Sequence, residues 1–425
     1  MSVPPSPTSR LRLAEMADRI HADQPNRLGE LLDLIQSALD AVEPETATVR
    51  ALDDLDLGSG EVTVVALGKA APAMARGAVA ALGENAVQVV VVTDHHETLP
   101  GGAEEMISSH PVPDERSLAA GHRLLEVVAA ASHPVLFLIS GGGSALVEVP
   151  APGLNLSDLI ATYQAMLLAN VSIEEANTVR AHLSRIKGGR LAAATRNPMA
   201  TILISDVGPN PHLVASGPTL PCRTTPSRAL DVIRRHGLEV PPAVEAALSR
   251  AEPVPPLADS PVLIAADGAT AAAAAVGAGR ARGLPVSLHT TALKGEARTA
   301  MRLALTQVPV GEVAVLAGET TVEVRGDGRG GRNQEAALAA VEHLAGSPWA
   351  VLTFGTDGID GPTEAAGAYV DGSTRARLRS AGIDIEDALA RNDSNPALAA
   401  VDALIRTGPT GANVADLWII DRRHQ

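Results

Sequence analysis

Several apolar, strand-like runs in this chain end in a glycine or serine and then, within a few residues, reach a side chain suited to phosphate chemistry. VTVVALG leads to Lys69, VLFLIS to Gly141, Gly142, Gly143 and Ser144, and TILIS to Asp206. VAVLAG leads to Glu319, and AVLTFG to Asp357 and Asp360. In parallel α/β sheets, ligands lie beyond the carboxyl ends of the strands, where loops and helix N-termini gather. A set of such ends reads as a polyanion site, and the expectation is an enzyme that handles phosphates.

Each candidate carries its own chemistry and its own ordinary alternative. Lys69 follows Gly68 where a strand passes into an Ala-rich helix, so its ammonium adds to a positive helix end. A plain surface lysine is the alternative, and no GxxxxGK[ST] occurs. Gly141, Gly142 and Gly143 allow backbone N–H groups to converge on phosphate oxygens, with Ser144 as a further donor. A ligand-free tight turn uses the same residues. A dinucleotide fingerprint fails, because Leu146 and Asn333 stand where GxGxxG requires glycine.

IEEANTVRAHLSRIKGGRLA predicts a helix ending at Gly188-Gly189. At about 100° per residue, Asn177, Arg180, Ser184 and Lys187 share one face beside the apolar stripe Ala176, Val179, Leu183 and Ile186. That face is either a solvated basic surface or the lining of a polar cleft. Asp206 and Glu319 occupy places where carboxylates serve as metal ligands or general bases, a turn-capping role being the alternative for Asp206. TDGIDGPT resembles an oxygen-rich Mg²⁺ or Ca²⁺ loop without the further acids of an EF-hand. In RGDGRGGRNQE, glycines flank Arg329 and Arg332 just before a helix, where a planar guanidinium can grip a phosphoryl or carboxylate group. His95 and His96 point apart in any regular element, and His110 reads as a loop histidine without a partner.

The elements that must position these groups are legible in outline. Aromatic residues are 1% of the chain, so Ala, Val, Leu and Ile must build the core, and nucleic-acid stacking surfaces are disfavoured. A net charge of −15 argues against a nucleic-acid backbone as partner and makes local clusters of cations informative. The single cysteine, Cys222, excludes an intrachain disulfide and a thiol-rich metal site. No run approaches the roughly 20 apolar residues of a membrane span, and MSVPPSPTSR lacks a signal-peptide core, so a cytoplasmic chain is expected. Leu28, Leu31, Leu32, Ile35, Leu39 and Val42 recur at helical spacing. From Val62 onward strands and helices alternate, and the strands are apolar throughout, as a sheet covered on both faces requires. The fold expected is α/β with two domains: an N-terminal Rossmann-like parallel α/β/α sandwich and a C-terminal α/β domain with a mixed sheet. Residues 1–25 are expected to form a flexible N-terminus, 26–252 the first domain and 253–425 the second, with the Pro-rich stretch from Glu252 to Pro261 as linker. An antiparallel pair is expected where Glu319 separates VAVLAG from TTVEVRG, and ADLWIID as the last strand.

Together, GKAAPAMA, HPVPDERS, LISGGGSAL, NTVRAHLSRIKGGRLA, LISDV with ASGPT, AGETTVEVRGDGRGGRNQE, FGTDGIDGPTEAAGA and TGPTGANVADL resemble the glycerate 2-kinase family. The C-terminal part of that family is the domain called multi-organism fragment with rich leucine, and its members have often been labelled hydroxypyruvate reductase. The resemblance runs in order from about Leu28 to Ile420. It implies ATP-dependent phosphorylation of the 2-hydroxyl of D-glycerate to 2-phosphoglycerate and ADP, with Mg²⁺, in a cleft between two α/β domains. The residues the family is thought to use match Lys69, Asp206, Glu319 and Arg332. Two departures stand out: Gly208-Pro209-Asn210-Pro211 replaces an acidic turn, and Asp94-His95-His96-Glu97 precedes the HPVPD motif.

The resulting assignment puts the nucleotide phosphates on Gly141, Gly142, Gly143 and Ser144. The substrate falls to Lys69, Arg180, Lys187 and Arg332, and the metal to Asp206 and Asp357. Asp206 or Glu319 would take the hydroxyl proton, and closure around Pro253–Pro256 would exclude water. The partners expected are small molecules, with neither nucleic acid nor membrane, and a homodimer is among the states the sequence allows. The rival functions are an NAD(P)H-dependent hydroxypyruvate reductase and a non-catalytic sensor of a small hydroxy acid or nucleotide.

Overall fold

A computed structural model describes Leu13 and residues 19–58, 60–251 and 257–424. It resolves into two compact units, one spanning Pro44–Ala266 and the other combining the described residues through Glu43 with those from Asp267 onward. The proposed hinge at Pro253–Pro256 lies outside the described residues, as do residues 1–12 and 14–18 of the expected flexible N-terminus.

The Pro44–Ala266 unit is built on six strands: β1 (Val62–Leu67), β2 (Ala86–Thr93), β3 (Glu104–Ile107), β4 (Val135–Ile139), β5 (Met199–Ile204) and β6 (Val262–Ala266). They are hydrogen-bonded in the order β3-β2-β1-β4-β5-β6, and every pairing is parallel. β1 and β4 are buried at every position, the signature of a sheet with both faces covered. The chain runs outward from β1 to β3 and then crosses back to β4, so the strand order reverses between β1 and β4. Register fixes the consequence: Leu67 pairs with Ile139, and Ile139 with Leu203. The segments leaving β1, β4 and β5 therefore emerge side by side. A second apolar cluster joins the helices Leu156–Leu168, Ile173–Leu183, Pro226–Arg235 and Pro242–Arg250.

The other unit carries β7 (Val286–Leu293), β8 (Val313–Gly318), β9 (Ala350–Gly355), β10 (Gly367–Asp371), β11 (Leu404–Ile405) and β12 (Asp416–Asp421). Their order is β11-β10-β9-β12-β8-β7, with only β7 and β8 parallel, so the sheet is mixed as expected. The last strand is also central. β12 enters between β8 and β9, and all six of its residues are buried.

These units divide the chain differently from the expected 26–252 and 253–425. Strand β6 follows the Pro-rich stretch yet completes the parallel sheet by pairing with β5. Helix Pro25–Val42, whose Leu28, Leu31, Leu32, Ile35, Leu39 and Val42 are buried as their spacing predicts, packs on helix Gly268–Ala281 of the mixed-sheet unit. The described part of residues 1–25 is held in place: Leu13 and Ile20 are buried, and the His21 amide donates to the Asp402 carbonyl at 2.9 Å. The expected pairing around Glu319 does not form. β12 takes the place beside β8, Val324 is exposed, and Thr321 makes one isolated bridge, to Glu296. Among the described residues no helix is long and apolar enough to cross a membrane.

Candidate functional site

In the parallel-sheet unit the strand reversal brings together the segments following β1, β4 and β5. The Lys69 amide donates to the Gly141 carbonyl at 3.0 Å, and the Ala70 amide to Ser140 Oγ at 3.0 Å. Gly68 has φ +125°, and a Cβ there would overlap Ser140, so only glycine lets β1 and β4 turn this close together. Lys69 is exposed and lies just ahead of helix Ala71–Leu82, where its ammonium joins the positive helix end. Gly142 adopts φ +85°, and a methyl added there would stand 3.1 Å from Lys69 Cγ and 3.4 Å from His110 Cδ2. A Cβ on Gly141 would run into the Asp206 carboxylate. Lys69, the glycine turn, His110 and Asp206 thus share one small surface at the strand ends.

The electrostatics follow from burial and from that ammonium. Burial pushes the Asp206 carboxyl above its usual range, and Lys69 only partly opposes the shift. No other described residue donates a hydrogen bond to this carboxylate; the turn after β5 is closed instead by Ser205, whose Oγ donates to the Gly208 carbonyl at 2.6 Å. Asp206 is therefore not the turn cap that its sequence setting allowed. His110 is held below the ordinary imidazole value by burial and by Lys69, with Asp94 opposing. Sequence reasoning missed this histidine, because the residues it meets lie far along the chain. The rest of its motif is a helix cap: Asp114 accepts from the Arg116 amide at 2.9 Å, while Ser117 accepts from the Asp114 amide at 3.1 Å.

A hydrogen-bonded chain leads from the glycine turn to helix Ile173–Leu183. Ser144 Oγ lies 2.8 Å from Ser216 Oγ, Ser216 donates to Asn177 Oδ1 at 2.8 Å, and Arg180 Nη1 donates to the same oxygen at 3.3 Å. The helix ends at Leu183, not at Gly188. Ser184 is extended, and its hydroxyl donates to Glu148 at 2.5 Å while accepting from the Ile186 amide at 3.1 Å. Lys187 consequently leaves the expected face. It is 1% exposed, and its ammonium is committed to the buried Glu148, which also accepts from the Tyr163 hydroxyl at 2.7 Å. Burial lowers the Lys187 pKa, with Glu148 opposing. In the structure this ammonium is held in an internal ion pair rather than presented on the expected face.

In the mixed-sheet unit, Arg332 opens helix Arg332–Leu344. Gly318 pairs with Asp416 across β8 and β12, which sets Glu319 and Asp416 on one guanidinium. Arg332 Nε and Nη2 donate to the two oxygens of Asp416 at 2.5 and 3.1 Å, and Nη1 meets Glu319 at 2.8 Å. Burial disfavours this charge, but Asp416, Glu319 and Asp360 outweigh it and hold Arg332 firmly protonated. Asp416 is fully buried, and burial raises its pKa against the pull of Arg332. Asp360 is no metal ligand: its oxygens accept the Asn333 and Gln334 amides at 3.0 and 2.8 Å, capping the helix. Burial pushes its pKa up to about 6. Asp416 was overlooked in the sequence, although an acid opening a strand as apolar as LWII is a recognisable signal.

The donor set fits a magnesium ion that arrives with a nucleotide. Among the described residues no three His, Cys, Asp or Glu side chains gather into a metal site. Mg²⁺ usually takes one or two carboxylates and completes its shell with phosphate oxygens and water. Among the described residues no other residue donates to the Asp206 carboxylate, and Asp357 uses only Oδ1, which accepts the Ile359 amide at 3.0 Å.

Two family descriptions match the chain: a domain of unknown function, DUF4147, over residues 30–249, and the MOFRL family over residues 312–416. The D-glycerate 2-kinase of Thermotoga maritima is 38% identical over 405 residues, covering 91% of this chain and 96% of that protein. A protein of Agrobacterium vitis, carrying the provisional name hydroxypyruvate reductase, is also 38% identical, over 91% of this chain and 92% of its own length. The crystal structure of a Thermotoga maritima glycerate kinase superposes with a TM-score of 0.87 at 37% identity, covering 93% of this chain and all of that one.

Proposed function

The chain belongs to the glycerate 2-kinase family, and on that premise we propose that it transfers the terminal phosphoryl group of magnesium-bound ATP to the 2-hydroxyl of D-glycerate. The new bond joins the 2-oxygen to the γ-phosphorus as the bond to the β,γ-bridging oxygen breaks. ADP leaves, and the hydroxyl proton passes to a carboxylate. The observation that carries this reading is the meeting of Lys69, the Gly141–Ser144 turn, His110 and Asp206 where the parallel sheet reverses its strand order.

Amide groups of the glycine turn and the Lys69 ammonium would hold nucleotide phosphates. Asp206 is the better base, since burial raises its basicity and no other described residue donates to it, whereas Glu319 is engaged with Arg332. Arg332, oriented by Asp416 and Glu319, would stabilise the migrating phosphoryl group, whose charge spreads over its equatorial oxygens. Mg²⁺ would neutralise phosphate charge, with Asp206 or Asp357 as its protein ligand. The reductase alternative loses support in this turn, because Leu146, fully buried, occupies the place of a fingerprint glycine.

The test supplies ATP, Mg²⁺ and D-glycerate and identifies the phosphorylated carbon by phosphorus NMR. Formation of 2-phosphoglycerate is expected, with no oxidation of NADH by hydroxypyruvate. Arg332→Ala should lower kcat by about 10³-fold, the low end for an arginine in phosphoryl transfer. NADH consumption without phosphate transfer would overturn the reading.

A further inference from the structure

Among the described residues, Arg180 is a cation without a counter-ion. It is half-buried, and its guanidinium lies 5.2 Å from the centroid of the Tyr163 ring. Among the described residues it donates one hydrogen bond, from Nη1 to the neutral Asn177. Among the described residues it forms no ion pair, in a chain whose net charge is −15. Nε is sealed from solvent, Nη2 stays open to it, and neither has an acceptor among the described residues. The nearby carboxylate cannot serve, since Glu148 already accepts from Lys187, Tyr163, Ser184 and the Val149 amide. Arg180 even contributes to lowering the Lys187 pKa, a repulsion that a bound anion would relieve.

Holding a guanidinium half out of water beside a second cation is unfavourable unless an anion completes the site. The side chain is also oriented in advance. Tyr163 supports its plane, and Asn177 fixes one Nη, leaving the free end of the fork as a bidentate donor. The same Asn177 oxygen accepts from Ser216, which bonds Ser144 of the glycine turn, so this fork is tied to the segment assigned to nucleotide phosphates.

We propose that Arg180 binds the carboxylate of the hydroxy-acid substrate and is the residue that selects acids over neutral polyols and amides. This deepens, and rests on, the kinase reading above. Of the four cations first assigned to substrate, Lys69 is taken by the nucleotide phosphates, Arg332 by the migrating phosphoryl group and Lys187 by Glu148, which leaves Arg180 for the carboxylate.

The experiment compares wild type, Arg180→Gln and Arg180→Lys on D-glycerate and on its neutral amide. Arg180→Gln should raise KM for D-glycerate about 10- to 100-fold, the loss expected for a hydrogen bond to a charged group. KM for ATP should stay unchanged, and the preference for the acid over the amide should collapse. Arg180→Lys, which keeps the charge without the planar fork, should retain that preference with a raised KM, and it carries the test if the glutamine variant does not fold. An unchanged KM for glycerate, an increase confined to ATP, or equal losses on acid, amide and ATP would overturn the proposal. If the wild type phosphorylates no glycerate, the kinase reading itself falls. Calorimetric titration of D-glycerate then tests Arg180 directly: binding to wild type but not to Arg180→Gln supports the assignment, and equal heats or no binding overturn it.

Discussion

Replacing Lys187 by methionine separates two accounts of that residue that predict opposite phenotypes. If its ammonium met substrate, the protein would stay stable while KM for glycerate rose. In the structure Lys187 and Glu148 are 1% and 0% exposed, so solvent does not screen the pair. Removing the cation strands a buried carboxylate, which typically costs about 3–5 kcal/mol. Glu148 would keep three donors, the Tyr163 and Ser184 hydroxyls and the Val149 amide, which places the loss near the lower end. With an m value of about 3 kcal/mol per molar urea, a loss of about 3 kcal/mol lowers the unfolding midpoint by about 1 M. Both tryptophans, Trp349 and Trp418, belong to the other unit, so far-ultraviolet circular dichroism is the appropriate signal. Adding Glu148→Gln should recover most of the loss, because neither buried group is then charged. The variant that remains folded should keep its KM for D-glycerate. An unmoved midpoint with a raised KM would refute this reasoning and return Lys187 to the substrate.

Two further substitutions probe the turn and the helix cap. Gly142→Ala forces an L-residue into φ +85° and sets a methyl 3.1 Å from Lys69 Cγ. KM for ATP should rise about 10-fold, the worth of one hydrogen bond of about 1.4 kcal/mol, and an unchanged KM would remove the turn from nucleotide binding. Asp360, pushed up to about 6 by burial, binds its proton more tightly folded than unfolded. Its stabilising contribution is therefore complete below the unfolded value of about 4 and is lost as pH rises through about 6. Asp360→Asn cannot titrate, so its urea midpoint should fall less than that of wild type between those limits; parallel curves would show that Asp360 does not carry this pH dependence.

The fold was legible where a pattern repeats locally. Uninterrupted apolar runs such as VTVVAL and VLFLI announce a sheet buried on both faces, and the spacing from Leu28 to Val42 announces a helix. What the pattern does not carry is which unit receives each element. The helical stripe says only that an apolar partner exists; that the partner is Gly268–Ala281, more than two hundred residues away, depends on tertiary packing. For the same reason the Pro-rich stretch looked like a border, although β6 beyond it is still an edge strand of the first sheet.

Site residues divide along the same physical line. That Lys69, the glycine turn and Asp206 meet was legible because each follows a buried strand directly, so strand order alone decides it. Lys187 was misread because periodicity continues in the sequence past the point where the helix stops. The stop comes from Ser184 bonding Glu148, a partner 36 residues upstream that no local signal names. Asp416 and Asp360 carry the most transferable clue. A carboxylate at the border of a fully apolar strand, or in the loop just beyond one, cannot be buried alone, so it implies a donor elsewhere in the fold. Here those donors are Arg332 and the amides that open its helix. The acid opening LWII thus points to a cation elsewhere in the chain, and the arginine-rich loop supplies it through Arg332.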